Sequence, residues 1–202
     1  MIITISDKKK ASLSKLAEIF QKLGANINCI GIPKTIDNDL PITDNCPGFG
    51  SVAKYIAISI KEASLDVASM AASSTKIFVM EVMGRHTGWI AAAAGLAKQQ
   101  PSDGPHLILF PERRLILKDL LAQVKHCVET YGFCSIVVSE GIRDENGDFF
   151  THSSMHDAFG HTQLGGVAPT MAAIIKHNLG YKYHWAVLDY LKRSARHIAS
   201  GV

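Results

Sequence analysis

Aromatic residues make up only 7% of this 202-residue sequence. No basic stretch interleaves with them, which excludes a single-strand nucleic-acid surface built on stacking. The formal net charge is +3, too small to argue for nucleic acid and mildly favourable to anionic small molecules. The four cysteines, Cys29, Cys46, Cys127 and Cys134, are far apart and form no CxxC pair. That argues against a cysteine metal cluster, and reads as buried free thiols in a reducing cytosol. The most apolar stretch, Trp89 to Ala97, is too short to span a bilayer. The first seven residues lack a long apolar core and a small-residue cleavage site, so no secretory leader is expected. No GxGxxG follows the first apolar run, which argues against a dinucleotide-binding oxidoreductase.

What is present describes a soluble globular protein. Hydrophobic residues are 47% and charged residues 19%, in a length that suits one large domain or two small ones. Apolar runs at Ile2–Ile5, Ile27–Ile32, Lys76–Val82, His106–Phe110, Cys134–Val138 and Tyr181–Val187 read as strands. Amphipathic stretches stand between them. The first carries Leu13, Leu16, Ala17, Phe20 and Leu23 on one face and is expected to start at Ser12, because Lys8, Lys9 and Lys10 oppose the macrodipole. The second carries Val52, Tyr55, Ile56, Ile60, Ala63 and Val67, with Ser51 as the expected cap. Trp89–Ala97, the stretch around Leu120 to Val128 and the stretch after Gly165 supply the others. Strand and helix alternate, which predicts an α/β fold with a doubly wound, mostly parallel sheet. Asp144-Glu145-Asn146-Gly147-Asp148 lacks the spacing of a calcium loop and reads as a solvated turn.

The chemistry concentrates in Pro33-Lys34-Thr35-Ile36-Asp37-Asn38-Asp39-Leu40-Pro41-Ile42-Thr43-Asp44, directly after the second strand. In open α/β sheets ligands bind beyond the carboxyl ends of strands. Asp37 and Asp39 lie two apart, so extended backbone would point both to one side and a turn would separate them. Paired acids can hold a metal, or let one serve as a base, and Lys34 supplies a cation for phosphate. Phosphoryl transfer to a hydroxyl uses all three parts; a solvated acidic turn is the alternative on residue type alone. Asp37, Arg85, Glu140 and Arg193 each follow an apolar run. A parallel sheet gathers such positions at one edge.

These residues resemble a known family. Pro33 to Leu40, then Met83-Gly84-Arg85, Ser139-Glu140-Gly141 and Tyr190-Leu191-Lys192-Arg193 are similar to the phosphofructokinases, above all their pyrophosphate-dependent branch. The resemblance runs from about Ile27 to the C-terminus, with the four motifs in the family's order. It implies a three-layer, Rossmann-like fold and transfer of phosphate from pyrophosphate to the 1-hydroxyl of fructose 6-phosphate, with Mg2+ as cofactor. By resemblance Asp37 is the general base and Lys34 the mark of pyrophosphate use. Thr35 and Ile36 lie against the sugar phosphate, and Asp39 supports metal and phosphate. Met83, Gly84 and Arg85 line the pocket, Glu140 accepts a sugar hydroxyl, and Tyr190 and Arg193 hold the phosphate end. Lys76 is the cation that reaches a neighbouring subunit's site, with Lys182 or His184 as a second such cation.

The sequence also departs from the family. Its glycine-rich donor loop would fall on Ile5-Ser6-Asp7-Lys8-Lys9, which contains no glycine, so backbone amides there cannot close around phosphate in the same way. The expectation is therefore an incomplete arrangement: 1–50 as a remnant of the donor lobe carrying the catalytic loop, 51–188 as the sugar-phosphate lobe, and 189–202 returning toward the donor lobe. Two functions follow, a cytoplasmic phosphotransferase acting as a homo-oligomer or with a complementing chain, or a non-catalytic sugar-phosphate-binding chain.

Overall fold

Val79 lies fully buried in the middle of a four-stranded sheet whose strands all run parallel. A computed structural model describes residues 2–6, 10–25, 27, 30–151 and 166–193. The strands are β1 (Ile2–Ser6), β2 (Ile30–Lys34), β3 (Ile77–Val82), β4 (Leu107–Leu109), β5 (Cys134–Ser139) and β6 (Tyr183–Val187). The helices are α1 (Lys10–Lys22), α2 (Phe49–Met70), α3 (Trp89–Ala93), α4 (Leu117–Tyr131) and α5 (Val167–Leu179). The larger sheet has the order β4-β5-β3-β6, and β1 pairs with β2 in a separate parallel pair. Thus the expected parallel sheet is present, but as four strands with a two-stranded companion.

The period-two alternation of β3 explains the three layers. Ile77 and Val79 face one side, where Val124 and Val128 of α4 and Met171 and Ile175 of α5 pack. Phe78, Met80 and Val82 face the other, against Ile56 and Ile60 of α2 and Ile90 and Ala94 near α3. Each such side chain taken out of water contributes about 1.5–3 kcal/mol before entropy is subtracted. Alanines at 91, 94 and 97 let the α3 region lie close on the sheet. Cys46, Cys127 and Cys134 are buried and free, as expected; Cys29 lies outside the described residues.

Several boundaries differ from expectation. α1 begins at Lys10 rather than Ser12, so one lysine is inside the helix despite the dipole; Lys8 and Lys9 lie outside the described residues. Leu16 and Leu23 of its apolar stripe are exposed. The N-cap of α2 is Gly48 at φ 92°, which places Ser51 inside the first turn instead of at the cap. β2 continues through Pro33 to Lys34, because pairing with β1 extends the strand into the charged motif. The Trp89–Ala97 stretch is α-helical to Ala93 and tightens to a 3-10 turn over Ala94–Ala97. Residues 144–148 form the expected turn, with the Asp144 carboxylate accepting the N–H groups of Asn146 and Asp148 at 2.9 and 3.0 Å. No helix among the described residues is long and apolar enough to cross a membrane.

Candidate active site

The ends of β3, β5 and β6 are level, since Glu81 pairs with Val138 and with Val187. The segments that follow these strands therefore emerge at one edge. The backbone knits them together: Glu140 N–H donates to the Val82 carbonyl at 2.9 Å and Leu188 N–H to the Glu81 carbonyl at 3.3 Å. Gly84 N–H donates to Glu140 Oε1 at 3.4 Å, and the Ser139 hydroxyl donates to the Gly84 carbonyl. Gly84 has φ 132°, and a Cβ on Gly141 would lie 2.0 Å from the Arg85 carbonyl oxygen. Both positions therefore require glycine, one for conformation and one for close approach.

The Lys34–Asp44 loop docks onto the same edge. Thr87, four residues after Met83, donates its hydroxyl to the Asp37 carbonyl at 3.2 Å. Inside the loop the Asp37 N–H donates to Thr35 Oγ1 at 3.2 Å. Asn38 takes φ 57°, a left-handed value that asparagine tolerates. Its buried side chain donates to the Asp44 carbonyl at 3.3 Å and accepts the Cys46 N–H at 2.7 Å. That turn decides the arrangement of the two acids: Asp37 is half-buried and Asp39 exposed. Ile36 packs against the α2-side core. An open cleft of about 400 Å³ borders the loop, between Asp39 and Trp89.

Electrostatics single out Asp37. Its Oδ1 is buried and accepts no hydrogen bond from the described residues. Burial raises its pKa, Asp39 adds to the rise, and Lys192, Lys34 and Arg193 pull it back. Glu140 is also raised, first by burial, with the Gly84 N–H and Lys192 opposing. A carboxylate with a raised pKa and a free oxygen is suited to take a proton.

The predicted residues fall into two groups. Lys34, Thr35, Ile36, Asp37 and Asp39 share the loop, which is bonded to the Met83–Thr87 segment; Glu140 is bonded to Gly84, and Arg193 acts electrostatically on Asp37. Arg193 stands over the Tyr190 ring at 5.5 Å, and both are exposed. Lys76 is elsewhere. It precedes β3, at the opposite end of the strand from Glu81, and its Nζ donates to the Ala71 carbonyl at 2.6 Å. Lys182 lies at that same end, bonded to Ser74 Oγ at 2.9 Å, and His184 is exposed on β6. None of these three joins the Asp37 group within this chain.

Two charged residues of the site were not anticipated. Lys192 is 2% exposed and Glu81 is 2% exposed. Glu81 Oε2 accepts the Ala168 N–H at 2.8 Å at the start of α5. A glutamate inside the apolar run Ile77–Val82 was a legible signal, because such a charge needs buried partners. Lys192 carried no signal, since a lysine beside Arg193 reads as solvated.

Known proteins bear on this geometry. The family model for phosphofructokinase matches residues 9–194. A pyrophosphate–fructose 6-phosphate 1-phosphotransferase from Halomonas elongata is 61% identical over 186 residues, covering 92% of this chain and 44% of the relative. The protein of the same name from Methylococcus capsulatus is 60% identical with the same coverage. The crystal structure of a pyrophosphate-dependent phosphofructokinase from Marinobacter aquaeolei superposes with a TM-score of 0.82 at 49% identity, over 97% of this chain and 45% of that one. The chain thus spans less than half the length of these relatives. With the family model spanning nearly every residue and its motifs meeting at one sheet edge, the chain belongs to the phosphofructokinase family.

Proposed function

We propose that this chain carries the acceptor side of a cytoplasmic, pyrophosphate-dependent phosphofructokinase of glycolysis, active as a homo-oligomer or with a complementing chain. The observation that carries the reading is Asp37: a half-buried carboxylate with an unbonded oxygen, held by Thr87 and flanked by cations. Asp37 takes the proton of the fructose 6-phosphate 1-hydroxyl. The freed oxygen bonds to the terminal phosphorus of pyrophosphate, the bridging P–O bond breaks, and orthophosphate leaves. A positioned base of this kind contributes about 10²–10⁴-fold. Lys34 supplies positive charge for the equatorial oxygens of the transferring group. Met83, Gly84 and Arg85 line the sugar-phosphate pocket with Thr35 and Ile36, Glu140 accepts a sugar hydroxyl, and Tyr190 with Arg193 faces the 6-phosphate. Lys76, at the far end of β3, serves a neighbouring subunit's site, with Lys182 or His184 as a second such cation.

The division into 1–50, 51–188 and 189–202 is supported by the two sheets, since β1–β2 pair apart from the other four strands. Among the described residues no group of three or more His, Cys, Asp or Glu forms a metal site. Two neighbouring acids fit Mg2+ in the mode where one or two carboxylates and substrate phosphates share the ion. Asp39, the exposed one, would hold it, and the bound ion would neutralise charge on the phosphates.

A second reading, fructose 6-phosphate binding without turnover, is favoured by the glycine-free stretch Ile5–Lys9. A coupled assay with pyrophosphate, Mg2+ and fructose 6-phosphate, beside calorimetric binding of fructose 6-phosphate, separates the two. Turnover abolished by Asp37→Asn supports the first. Binding without turnover supports the second, and neither binding nor turnover rejects both.

A further inference from the structure

The 3-10 turn Leu191–Arg193 places its central residue inward. Tyr190 and Leu191 are 69% and 65% exposed, while Lys192 between Leu191 and Arg193 is 2% exposed. Leu188, buried in the α2-side core, anchors the start of the turn. A lysine is almost never this buried without acidic partners. Four acids act on it electrostatically, from four segments that meet at this edge: Glu140 after β5, Asp189 in its own segment, Asp37 in the loop after β2, and Glu81 on β3. Asp189 is exposed, whereas Glu81 is buried and Asp37 and Glu140 are half-buried. The influence is mutual, because Lys192 favours the ionised form of Asp37, Glu81 and Glu140. Arg193 and Lys34 also act electrostatically on Asp37, but Arg193 is exposed.

We propose that Lys192 is a positioning residue, the buried counter-ion shared by Asp37, Glu81 and Glu140, which holds three carboxylates from three segments at one edge of the sheet. At 2% exposure it has almost no surface for a substrate. It acts through the carboxylates, two of which are the proposed base and the proposed sugar contact. Without it, three negative charges crowd a poorly solvated edge, and mutual repulsion opens the contact between the Asp37 loop and the strand ends. Glu81 completes the device by tying the cluster to the first turn of α5 through Ala168. The effect on catalysis rests on the proposed phosphotransferase reading; the charge cluster does not.

The test is a cycle of Lys192→Gln, Glu81→Gln and the double variant, with Lys192→Arg as the charge-conserving control. Each is measured in the full chain by thermal unfolding, and by the coupled assay. Lys192→Gln is expected to lower Tm by about 6 °C or more and kcat by about tenfold or more, with the KM for pyrophosphate unchanged. Lys192→Arg retains most of both. Glu81→Gln lowers Tm in the native background and raises it in the Lys192→Gln background, a reversal of sign that simple loss of packing does not produce. If Lys192→Gln fails to fold, recovery of folding in the double variant is the same coupling. Additive Tm changes, or a double variant as unfolded as the single one, overturn the proposal. So does a Lys192→Gln enzyme with normal kcat and a raised KM for fructose 6-phosphate alone, which would make the lysine a direct ligand. Should the native chain show no turnover, the phosphotransferase reading fails while the Tm cycle still decides the cluster.

Discussion

The Thr87 hydroxyl reaches back fifty residues to the Asp37 carbonyl, at 3.2 Å. It is a direct bond from the segment after β3 to the loop of the proposed base, which otherwise extends from the separate β1–β2 pair. Thr87 is itself placed by the segment whose Gly84 is bonded to Glu140 and Ser139. The base, the proposed pocket backbone and the proposed sugar contact thus form one mechanical unit.

Thr87→Val keeps the shape and removes the donor. The Asp37 carbonyl then loses a partner in a half-buried place, which costs about 1–2 kcal/mol of stability. The larger expected effect is on turnover, since misplacement of a reacting group by about 1 Å can cost 10²-fold. Thr87→Ser, which retains the hydroxyl, should keep most of the rate. Urea unfolding and the coupled assay, run on both variants, check the pair. Equal rates in Val and Ser variants would remove the bond from the mechanism.

Gly141→Ala tests the close approach at the end of β5. The added methyl would stand 2.0 Å from the Arg85 carbonyl oxygen and 2.7 Å from that of Gly84, both backbone atoms. The Gly84–Arg85 segment must move, at a cost of about 1–3 kcal/mol, and fructose 6-phosphate binding should weaken at least tenfold by calorimetry. Gly95→Ala is the control, because its methyl would meet Ile108 Cδ1 at an ordinary 3.6 Å. Unchanged affinity in Gly141→Ala would show that this segment does not shape the pocket.

Lys34→Gly separates donor from acceptor. Lys34 ends β2 and acts on Asp37 from three positions away. Loss of its ammonium should lower kcat/KM for pyrophosphate by tenfold or more, about 1.4 kcal/mol of transition-state stabilisation. Calorimetric affinity for fructose 6-phosphate should change far less. A loss confined to fructose 6-phosphate binding would reassign the residue.

Much of this site was legible because apolar runs mark strands and charged groups after them share an edge in a parallel sheet. β3, β5 and β6 were found within two residues of their ends for that reason. Pairing decided what sequence did not: β2 runs into Lys34 because β1 lies beside it. The helix starts were misread where a side-chain cap was expected and a left-handed glycine serves instead, as at Gly48. Lys192 was missed because its burial depends on Leu188 anchoring the turn and on acids from three distant segments. No local pattern encodes that.

A last expectation concerns pH and lies away from the catalytic edge. His106 precedes β4, and its Nδ1 accepts the Ser135 N–H at 3.0 Å, which leaves the ring proton on Nε2. The ring stacks on Tyr131 at 5.2 Å and meets Phe133 edge-on at 4.7 Å, and Nε2 is buried. Burial in this apolar setting pulls its pKa down from 6.5 to about 4. The folded state therefore disfavours the charged ring. Its contribution is whole above pH 6.5 and is lost as pH falls toward 4, because the unfolded chain binds the proton first. Discounted for solvent screening at a partly exposed ring, the loss is on the order of 1–2 kcal/mol. Asp37, Glu81 and Glu140, whose pKa values are raised, act with the opposite sign. They cancel when native and His106→Asn proteins are compared, the asparagine oxygen still accepting the Ser135 N–H. Urea unfolding at pH 7.5, 6 and 5 should show the native advantage over His106→Asn shrinking with each step. A constant difference would mean that the imidazole is solvated or already charged.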